Sequence, residues 1–267
     1  MRVAAVDIGT NSTRLLVGDV RHAIVTRLGE GVDATRRLSP AGIARVQEAL
    51  ELFAAEIGDA RTLAVATSAV RDAENGAEFM RGIAERFGFE TRILSGDEEA
   101  MLTRIGVGAV GERTLILDVG GGSTELIAGS FHTSLELGSV RLTERYLDSD
   151  PPTAAELNAA VDEARSLLPN LEVDAAVGVA GTVAQLHQLA RELTMEAVDT
   201  QLLRLASLTL AERRRVPGLD PERARAIVGG ALIVREVLCA YGLESLEFSE
   251  KDLLDGVLGI VARSSEL

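Results

Sequence analysis

One short pattern occurs twice in the sequence. Residues 7–18 read DIGTNSTRLLVG, and residues 118–129 read DVGGGSTELIAG. Aligned without a gap, the two segments agree at 6 of 12 positions: the Asp, the first Gly, the Ser, the Thr, one Leu and the last Gly. A single glycine turn is weak evidence for any fold, because hairpins need such turns. A copy at a distance predicts two related lobes.

The periodicity of the chain predicts strands that alternate with helices. Predicted strands cover residues 3–6, 13–20, 24–28, 62–66, 91–94, 114–118, 124–128 and 175–180. Predicted helices cover 41–57, 76–87, 222–241 and 251–262, with further helices after the capping boxes at 95–98 and 153–156 and from residue 183. This alternation predicts an α/β protein with mixed sheets flanked by helices.

Composition narrows the class of protein. The chain of 267 residues has 46% hydrophobic and 25% charged residues, which is typical of a soluble globular protein. No apolar run approaches the roughly 20 residues of a membrane span, and no export signal marks the N-terminus. We therefore expect a cytoplasmic protein without a membrane partner. The net charge of −14 argues against a nucleic-acid polymer as partner. Cys239, the only cysteine, lies in an apolar segment and is expected to be buried.

Two strand–turn–strand units with this pattern resemble the superfamily of actin, hexokinase and Hsp70. The rest of the sequence resembles, more narrowly, the exopolyphosphatase and guanosine pentaphosphate phosphohydrolase (Ppx/GppA) family. The motifs that carry this resemblance are IGTNSTRLLV, LGEGVD, ATSAVRDAEN, SGDEEA, LDVGGGSTEL, LGSVRLTER, GVAGTVAQL and FSEKDLLDGVL.

The resemblance implies a domain organisation and a set of site residues. It implies two actin-like (ribonuclease H-like) lobes, residues 1–112 and 113–252, with the active site in the interlobe cleft and helix 253–267 returning to the first lobe. It implies Glu99 as the catalytic residue and Mg²⁺ or another divalent cation as cofactor, held by Asp7, Asp118 and Glu125. The phosphate-binding residues that it implies are Gly9, Asn11, Ser12, Arg71, Gly120, Gly121, Gly122, Ser123, Thr124, Gly181 and Thr182.

The residue types in these motifs suit phosphoanhydride hydrolysis. Glycine lets backbone N–H groups approach an anion closely, and aspartate or glutamate oxygens suit Mg²⁺. A carboxylate such as Glu99 can take the proton of an attacking water. Glu98 and Glu99 also open a helix, where acidic residues are favourable without any catalytic role. We interpret Glu98 as the capping residue.

The arginines leave alternatives open. Arg71 follows an apolar strand and is expected to bind phosphate. Arg14 follows the first turn, and clamping of phosphate and exposure to water are equally consistent with its position. The cluster Arg213–Arg215 is interpreted as a solvated helix end, with guidance of a polyanion as the alternative.

The main functional hypothesis is an exopolyphosphatase that releases orthophosphate from inorganic polyphosphate. Hydrolysis of guanosine pentaphosphate uses the same chemistry and is the alternative within the family. A small-molecule kinase, with Gly178–Thr182 near a nucleotide, and a module that senses phosphate without turnover are further alternatives. The resemblance to the family implies a homodimer, although no pattern of residues in this sequence requires one.

Overall fold

The structure, a computed structural model, describes residues 2–263. The strands are β1 (Val3–Ile8), β2 (Ser12–Val17), β3 (Val20–Val25), β4 (Arg61–Ala66), β5 (Glu90–Ile93), β6 (Thr114–Val119), β7 (Thr124–Ala128), β8 (Phe131–Leu135), β9 (Ala175–Val179), β10 (Leu193–Thr194) and β11 (Ser245–Phe248). The helices are α1 (Val32–Thr35), α2 (Pro40–Ile57), α3 (Ser68–Asp72), α4 (Gly76–Phe87), α5 (Gly96–Val107), α6 (Ser139–Tyr146), α7 (Ala154–Leu167), α8 (Ala180–Ala190), α9 (Met195–Ala206), α10 (Leu210–Arg213), α11 (Ile227–Ala240) and α12 (Leu253–Arg263).

The chain divides into two compact units. In the described residues, the first unit comprises 2–109 and 251–263, and the second comprises 110–250. Residue 1 of the predicted first lobe and residues 264–267 of the predicted last helix lie outside the described residues.

The first unit is built on a five-stranded sheet in the order β3-β2-β1-β4-β5. Strands β1, β2 and β3 pair antiparallel, whereas β4 pairs parallel with both β1 and β5. Apolar residues on one face of this sheet pack with α2 and α4, and those on the other face pack with α5 and α12. The sheet is therefore covered by helices on both faces.

The second unit repeats the plan. Its sheet has the order β8-β7-β6-β9-β11-β10, in which β6, β7 and β8 pair antiparallel while β9 pairs parallel with β6 and β11. In both units the repeated pattern begins in the first strand of the meander and ends in the two-residue turn that joins its second and third strands, at residues 18–19 and 129–130. The prediction of two ribonuclease H-like lobes with mixed sheets flanked by helices is confirmed.

The core of the second unit lies around α11. This helix buries Ile227 through Val234 and then Glu236, Val237 and Leu238, so it packs on nearly all sides. It begins at residue 227, five residues later than predicted, because residues 220–226 form tight turns instead. Within them Arg223 N–H donates to the Asp220 carbonyl at 2.9 Å and Ala226 N–H donates to the Arg223 carbonyl at 3.1 Å.

Four other expectations need correction. The third strand is 20–25 and not 24–28, because the chain reverses directly after Val17. Helix α8 begins at Ala180 and not at residue 183.

Cys239 is exposed, since it lies in the last turn of α11, where the helix leaves the core. Arg213 is not a solvated helix end: it is buried, and Nη2 donates to Asp150 Oδ1 at 3.1 Å.

The helices of residues 2–263 include none that combines the length and the apolar character required to cross a bilayer.

Candidate active site

The first glycine turn, residues 7–12, joins β1 to β2. Gly9 N–H donates across it to the Ser12 carbonyl at 3.0 Å. The carbonyl of Asn11 accepts from Thr26 N–H and Arg27 N–H, each at 2.9 Å. The carbonyl oxygens of the turn are thus engaged by the segment that follows β3.

The second glycine turn, residues 118–123, joins β6 to β7 and has the same internal bond, from Gly120 N–H to the Ser123 carbonyl at 3.0 Å. Its carbonyls are held by the beginning of α6. Ser139 N–H donates to Gly120 O at 2.9 Å, and Val140 N–H donates to Gly121 O at 2.8 Å. Arg141 Nε donates to Gly122 O at 2.8 Å.

Two backbone N–H groups in each turn have no acceptor among the described residues. Within residues 2–263, no hydrogen bond is donated by the N–H of Thr10, Asn11, Gly121 or Gly122. The four residues occupy equivalent positions in the two turns, and Thr10 and Gly122 are buried. Buried N–H groups are rarely left without an acceptor, so each turn presents donors suited to an anion.

Asp7 lies on the strand that leads into the first turn and is 4% exposed. Its Oδ2 accepts from Arg14 Nε at 2.8 Å and lies 2.7 Å from Arg14 Nη2. Its Oδ1 is buried without a hydrogen-bond partner in the described part of the chain. Burial raises the pKa of the Asp7 carboxyl group, and the positive charge of Arg14 opposes this rise. An unpartnered carboxylate oxygen of this kind suits a cation.

Asp118 and Glu125 are directly opposite each other in the β6–β7 pair, 5% and 1% exposed. Opposed residues of an antiparallel pair share one face of the sheet, so two buried carboxylates adjoin. Ser134 Oγ donates to Glu125 Oε1 at 2.8 Å.

The number and arrangement of these carboxylates can be compared with the protein ligands that Mg²⁺ usually has. Residues 2–263 contain no cluster of three or more Asp, Glu, His or Cys side chains arranged around a metal ion. Mg²⁺ is usually bound by one or two carboxylates, with water and substrate phosphate oxygens completing its shell. The Asp118–Glu125 pair of the second unit and Asp7 Oδ1 of the first unit each offer the one or two carboxylates of that mode of binding.

Glu99 lies in the first turn of α5 and is 6% exposed. Arg71, at the end of α3, donates through Nη1 to Glu99 Oε2 at 3.2 Å and to the Leu94 carbonyl at 2.8 Å. Helix α3 also contacts the first glycine turn, because Ala69 N–H donates to Thr10 Oγ1 at 3.2 Å. The first unit thus connects the predicted base, the predicted phosphate-binding arginine and the turn.

Glu98 has a different role. Its side chain accepts from Ser95 N–H at 2.9 Å while Ser95 Oγ accepts from Glu98 N–H at 3.2 Å, so the predicted capping box is confirmed.

Gly181 and Thr182 lie in the first turn of α8, directly after β9. The preceding residue, Ala180, has a φ of 60°, which is uncommon for a residue with a side chain. Arg223 packs so closely on Gly181 that a Cβ there would overlap its guanidinium group. Sequence reasoning missed Arg223 at this position.

The remaining predicted phosphate-binding side chains are Ser12, Ser123 and Thr124, all buried. Thr124 Oγ1 donates to the Leu137 carbonyl, so its hydroxyl group is already engaged by the protein.

Arg141 was not predicted as a site residue. It lies in the LGSVRLTER motif, which carried part of the resemblance but was assigned no role.

Comparisons with known proteins identify the family of this chain. The model of the Ppx/GppA phosphatase family matches residues 20–263. The chain is 35% identical to exopolyphosphatase 2 of Mycobacterium tuberculosis, over 96% of this chain and 97% of that protein. It is 31% identical to a guanosine-5'-triphosphate,3'-diphosphate pyrophosphatase of Vibrio atlanticus, over 95% of this chain and 58% of that protein. The crystal structure of an exopolyphosphatase-like protein has a TM-score of 0.92 at 31% identity, over 99% of this chain and 100% of that one. The chain belongs to the Ppx/GppA phosphatase family.

Proposed function

We propose that this protein is an exopolyphosphatase, which hydrolyses the terminal phosphoanhydride bond of inorganic polyphosphate and releases orthophosphate. One observation carries the proposal: N–H groups that have no acceptor within residues 2–263 occupy equivalent positions in both glycine turns. Buried carboxylates lie beside them, Asp7 at the first turn and Asp118 and Glu125 at the second. A substrate with several phosphate groups and a bound cation supplies acceptors for those donors and balances those carboxylates. The 35% identity to a protein named exopolyphosphatase over nearly the whole chain supports the same choice.

In the proposed reaction Glu99 takes a proton from a water molecule, whose oxygen attacks the terminal phosphorus atom. The bond between that phosphorus and the bridging oxygen breaks, and the bridging oxygen leaves with the shortened chain. Arg71 holds one oxygen of the Glu99 carboxylate at 3.2 Å, which orients the base. The glycine-turn N–H groups bind the non-bridging oxygens, where negative charge must be stabilised.

Asp7, Asp118 and Glu125 are the residues proposed to bind a divalent cation, with Mg²⁺ the expected ion. When bound, such an ion neutralises phosphate charge. Without it, these carboxylates would repel the substrate, because each is buried and negatively charged when ionised.

A relative with a different named substrate supports guanosine pentaphosphate as a second candidate substrate. The relative from Vibrio atlanticus, 31% identical, is named for hydrolysis of guanosine-5'-triphosphate,3'-diphosphate, which also breaks a terminal phosphoanhydride bond. Hydrolysis of guanosine pentaphosphate is therefore the alternative proposal. The expected cytoplasmic location and homodimer stay predictions.

The test is release of orthophosphate from tripolyphosphate, long-chain polyphosphate and guanosine pentaphosphate, each with Mg²⁺ and with EDTA. We expect the highest kcat/KM on polyphosphate and loss of activity in EDTA. A higher kcat/KM on guanosine pentaphosphate would favour the alternative. Transfer of phosphate from ATP to an acceptor would indicate a kinase, and binding of polyphosphate without release would indicate a sensing module. Either result would overturn the proposal.

A further inference from the structure

Arg14 lies between two buried aspartates of the first unit. It is directly opposite Asp7 in the β1–β2 pair. Both Nε and Nη2 contact the same oxygen, Asp7 Oδ2, at 2.8 and 2.7 Å. The other oxygen, Oδ1, has no hydrogen-bond partner in the described residues. The arginine therefore fixes one side of the carboxylate and leaves the other side open.

The second aspartate is Asp252, which immediately precedes α12 and is 4% exposed. Arg14 Nη1 donates to Asp252 Oδ2. Asp252 is itself fixed by the helix: its Oδ1 accepts from Leu254 N–H at 2.9 Å, and its own N–H donates to Asp255 Oδ2 at 2.8 Å. The beginning of α12 thus determines where the guanidinium group of Arg14 lies.

The same contacts argue against both roles that the sequence left open for Arg14, a phosphate clamp and a side chain exposed to water. Its Nε, Nη1 and Nη2 all face carboxylate oxygens of Asp7 and Asp252. A guanidinium group used in this way is oriented by its own protein, whereas a phosphate clamp directs its paired N–H groups at the ligand. The contacts are those of a residue that acts through a neighbouring side chain.

We propose that Arg14 is a positioning residue for the cation-binding carboxylate: held by Asp252 at the start of α12, it orients Asp7 so that Oδ1 remains available to a divalent cation. The inference rests on the proposed function, because it gives Asp7 the role of a metal ligand. It adds that the C-terminal helix, far from Asp7 in the sequence, helps to set the affinity for the cation.

The test uses Mn²⁺ as a spectroscopic substitute for Mg²⁺ and measures its binding to the full chain by electron paramagnetic resonance. Asp252→Asn retains an acceptor for the helix cap but removes the charge that holds Arg14. Arg14→Lys retains a positive charge but cannot contact both aspartates in the same way. We expect either substitution to raise the Kd for Mn²⁺ by about 10- to 100-fold, the usual effect of losing a partner of a metal ligand.

Asp255→Asn is the matched control. Asp255 belongs to the same helix cap and accepts from Arg21 Nη2 at 2.7 Å, but its contacts are with Arg21 and Asp252 and not with Arg14. We expect Asp255→Asn to bind Mn²⁺ with the wild-type Kd, because the asparagine oxygen can still accept from Asp252 N–H and only the charge that pairs with Arg21 is lost. A wild-type Kd in both Asp252→Asn and Arg14→Lys would overturn the inference, and so would an equal loss in Asp252→Asn and Asp255→Asn. If Arg14→Lys does not fold, Asp252→Asn decides the question.

The wild-type protein shows whether the proposed function or only the role of Arg14 has failed. A wild-type protein that neither binds Mn²⁺ nor releases phosphate would contradict the proposed function, and the inference with it. A wild-type protein that does both, with variants that bind Mn²⁺ equally well, would overturn the role of Arg14 alone.

Discussion

Glu98 and Glu99 are neighbours in one helical turn, yet their surroundings differ. The Glu98 side chain is partly exposed and closes the capping box with Ser95. The Glu99 side chain is buried and is held by Arg71. Glu98 also has an arginine partner, because Arg92 Nη2 donates to Glu98 Oε1, so burial is what distinguishes Glu99. Burial is not needed to cap a helix, and the environment of Glu99 is therefore consistent with a chemical role.

This contrast supplies the first prediction. Glu99→Gln should fold as the wild type does and lower kcat for phosphate release by roughly 10²- to 10⁴-fold, because the glutamine amide cannot accept the water's proton. The matched control is Glu98→Gln, in which the glutamine can still close the capping box. Steady-state kinetics with circular dichroism would check both variants. A similar kcat in Glu99→Gln and Glu98→Gln would remove Glu99 from the mechanism.

At this scale the sequence predicts which residues matter better than it predicts their partners. The three-residue spacing between Ser95 and Glu98 was enough to predict that Glu98 takes part in the capping box of α5. The role of Arg14 was left undecided, because its partner Asp252 is 238 residues away and meets it only through the return of α12. The pairing of the buried Arg213 with the exposed Asp150 was missed because the two residues are 63 positions apart in the sequence.

At the scale of secondary-structure elements, α6 holds the second glycine turn in place. Its first residues and Arg141 bind the carbonyls of Gly120, Gly121 and Gly122, which leaves N–H groups of the turn available. Gly138, just before α6, passes so close to this turn that a Cβ would overlap the Gly121 carbonyl. The turn and the helix therefore form one structural unit.

The second prediction concerns this contact. Gly138→Ala should displace α6 from the turn and lower kcat/KM on polyphosphate by up to about 100-fold, the effect of a small misplacement of binding groups. Gly82→Ala in α4, where a Cβ would meet no atom within 4 Å, is the control. It should retain full activity and gain up to ~1 kcal/mol of stability. Full activity in Gly138→Ala would show that the turn does not depend on α6.

Elements with strong local signals were predicted well. Helices α2 and α4 agree with the prediction to within a residue, because apolar periodicity marks them, and α7 begins at its predicted capping box, residues 153–156. Helix α6 and strand β8 were not predicted, since the first is short and polar and the second is an exposed edge strand. Helix α6, which holds the second glycine turn, therefore has little local signal in the sequence.

At the scale of the whole molecule, the two ends of the chain build one unit. Helix α12 packs on α5 through two glycines: a Cβ on Gly106 would overlap the Asp252 carbonyl, and one on Gly256 would overlap the Leu102 carbonyl. This close approach places Asp252 where it can meet Arg14. No local pattern predicts such a contact, although the resemblance to actin-like proteins implied that the last helix returns to the first lobe.

The third prediction tests this packing. Gly256→Ala should lower the free energy of unfolding by about 1–3 kcal/mol, the usual cost of overpacking. Gly259→Ala, in the same helix but with no atom within 4 Å of the added Cβ, should not lower it. Urea denaturation of both variants would measure the difference. Equal stabilities would contradict the close contact of α5 and α12.

The central claim is that the N–H groups of both glycine turns bind the phosphate groups of the substrate. Amide chemical shifts in ¹H–¹⁵N spectra of the Glu99→Gln protein, recorded with and without tripolyphosphate and Mg²⁺, test it most directly. We expect the amide protons of Thr10, Asn11, Gly121 and Gly122 to move downfield as the ligand binds, because each gains a charged acceptor. Ligand binding with these four resonances unchanged would contradict it.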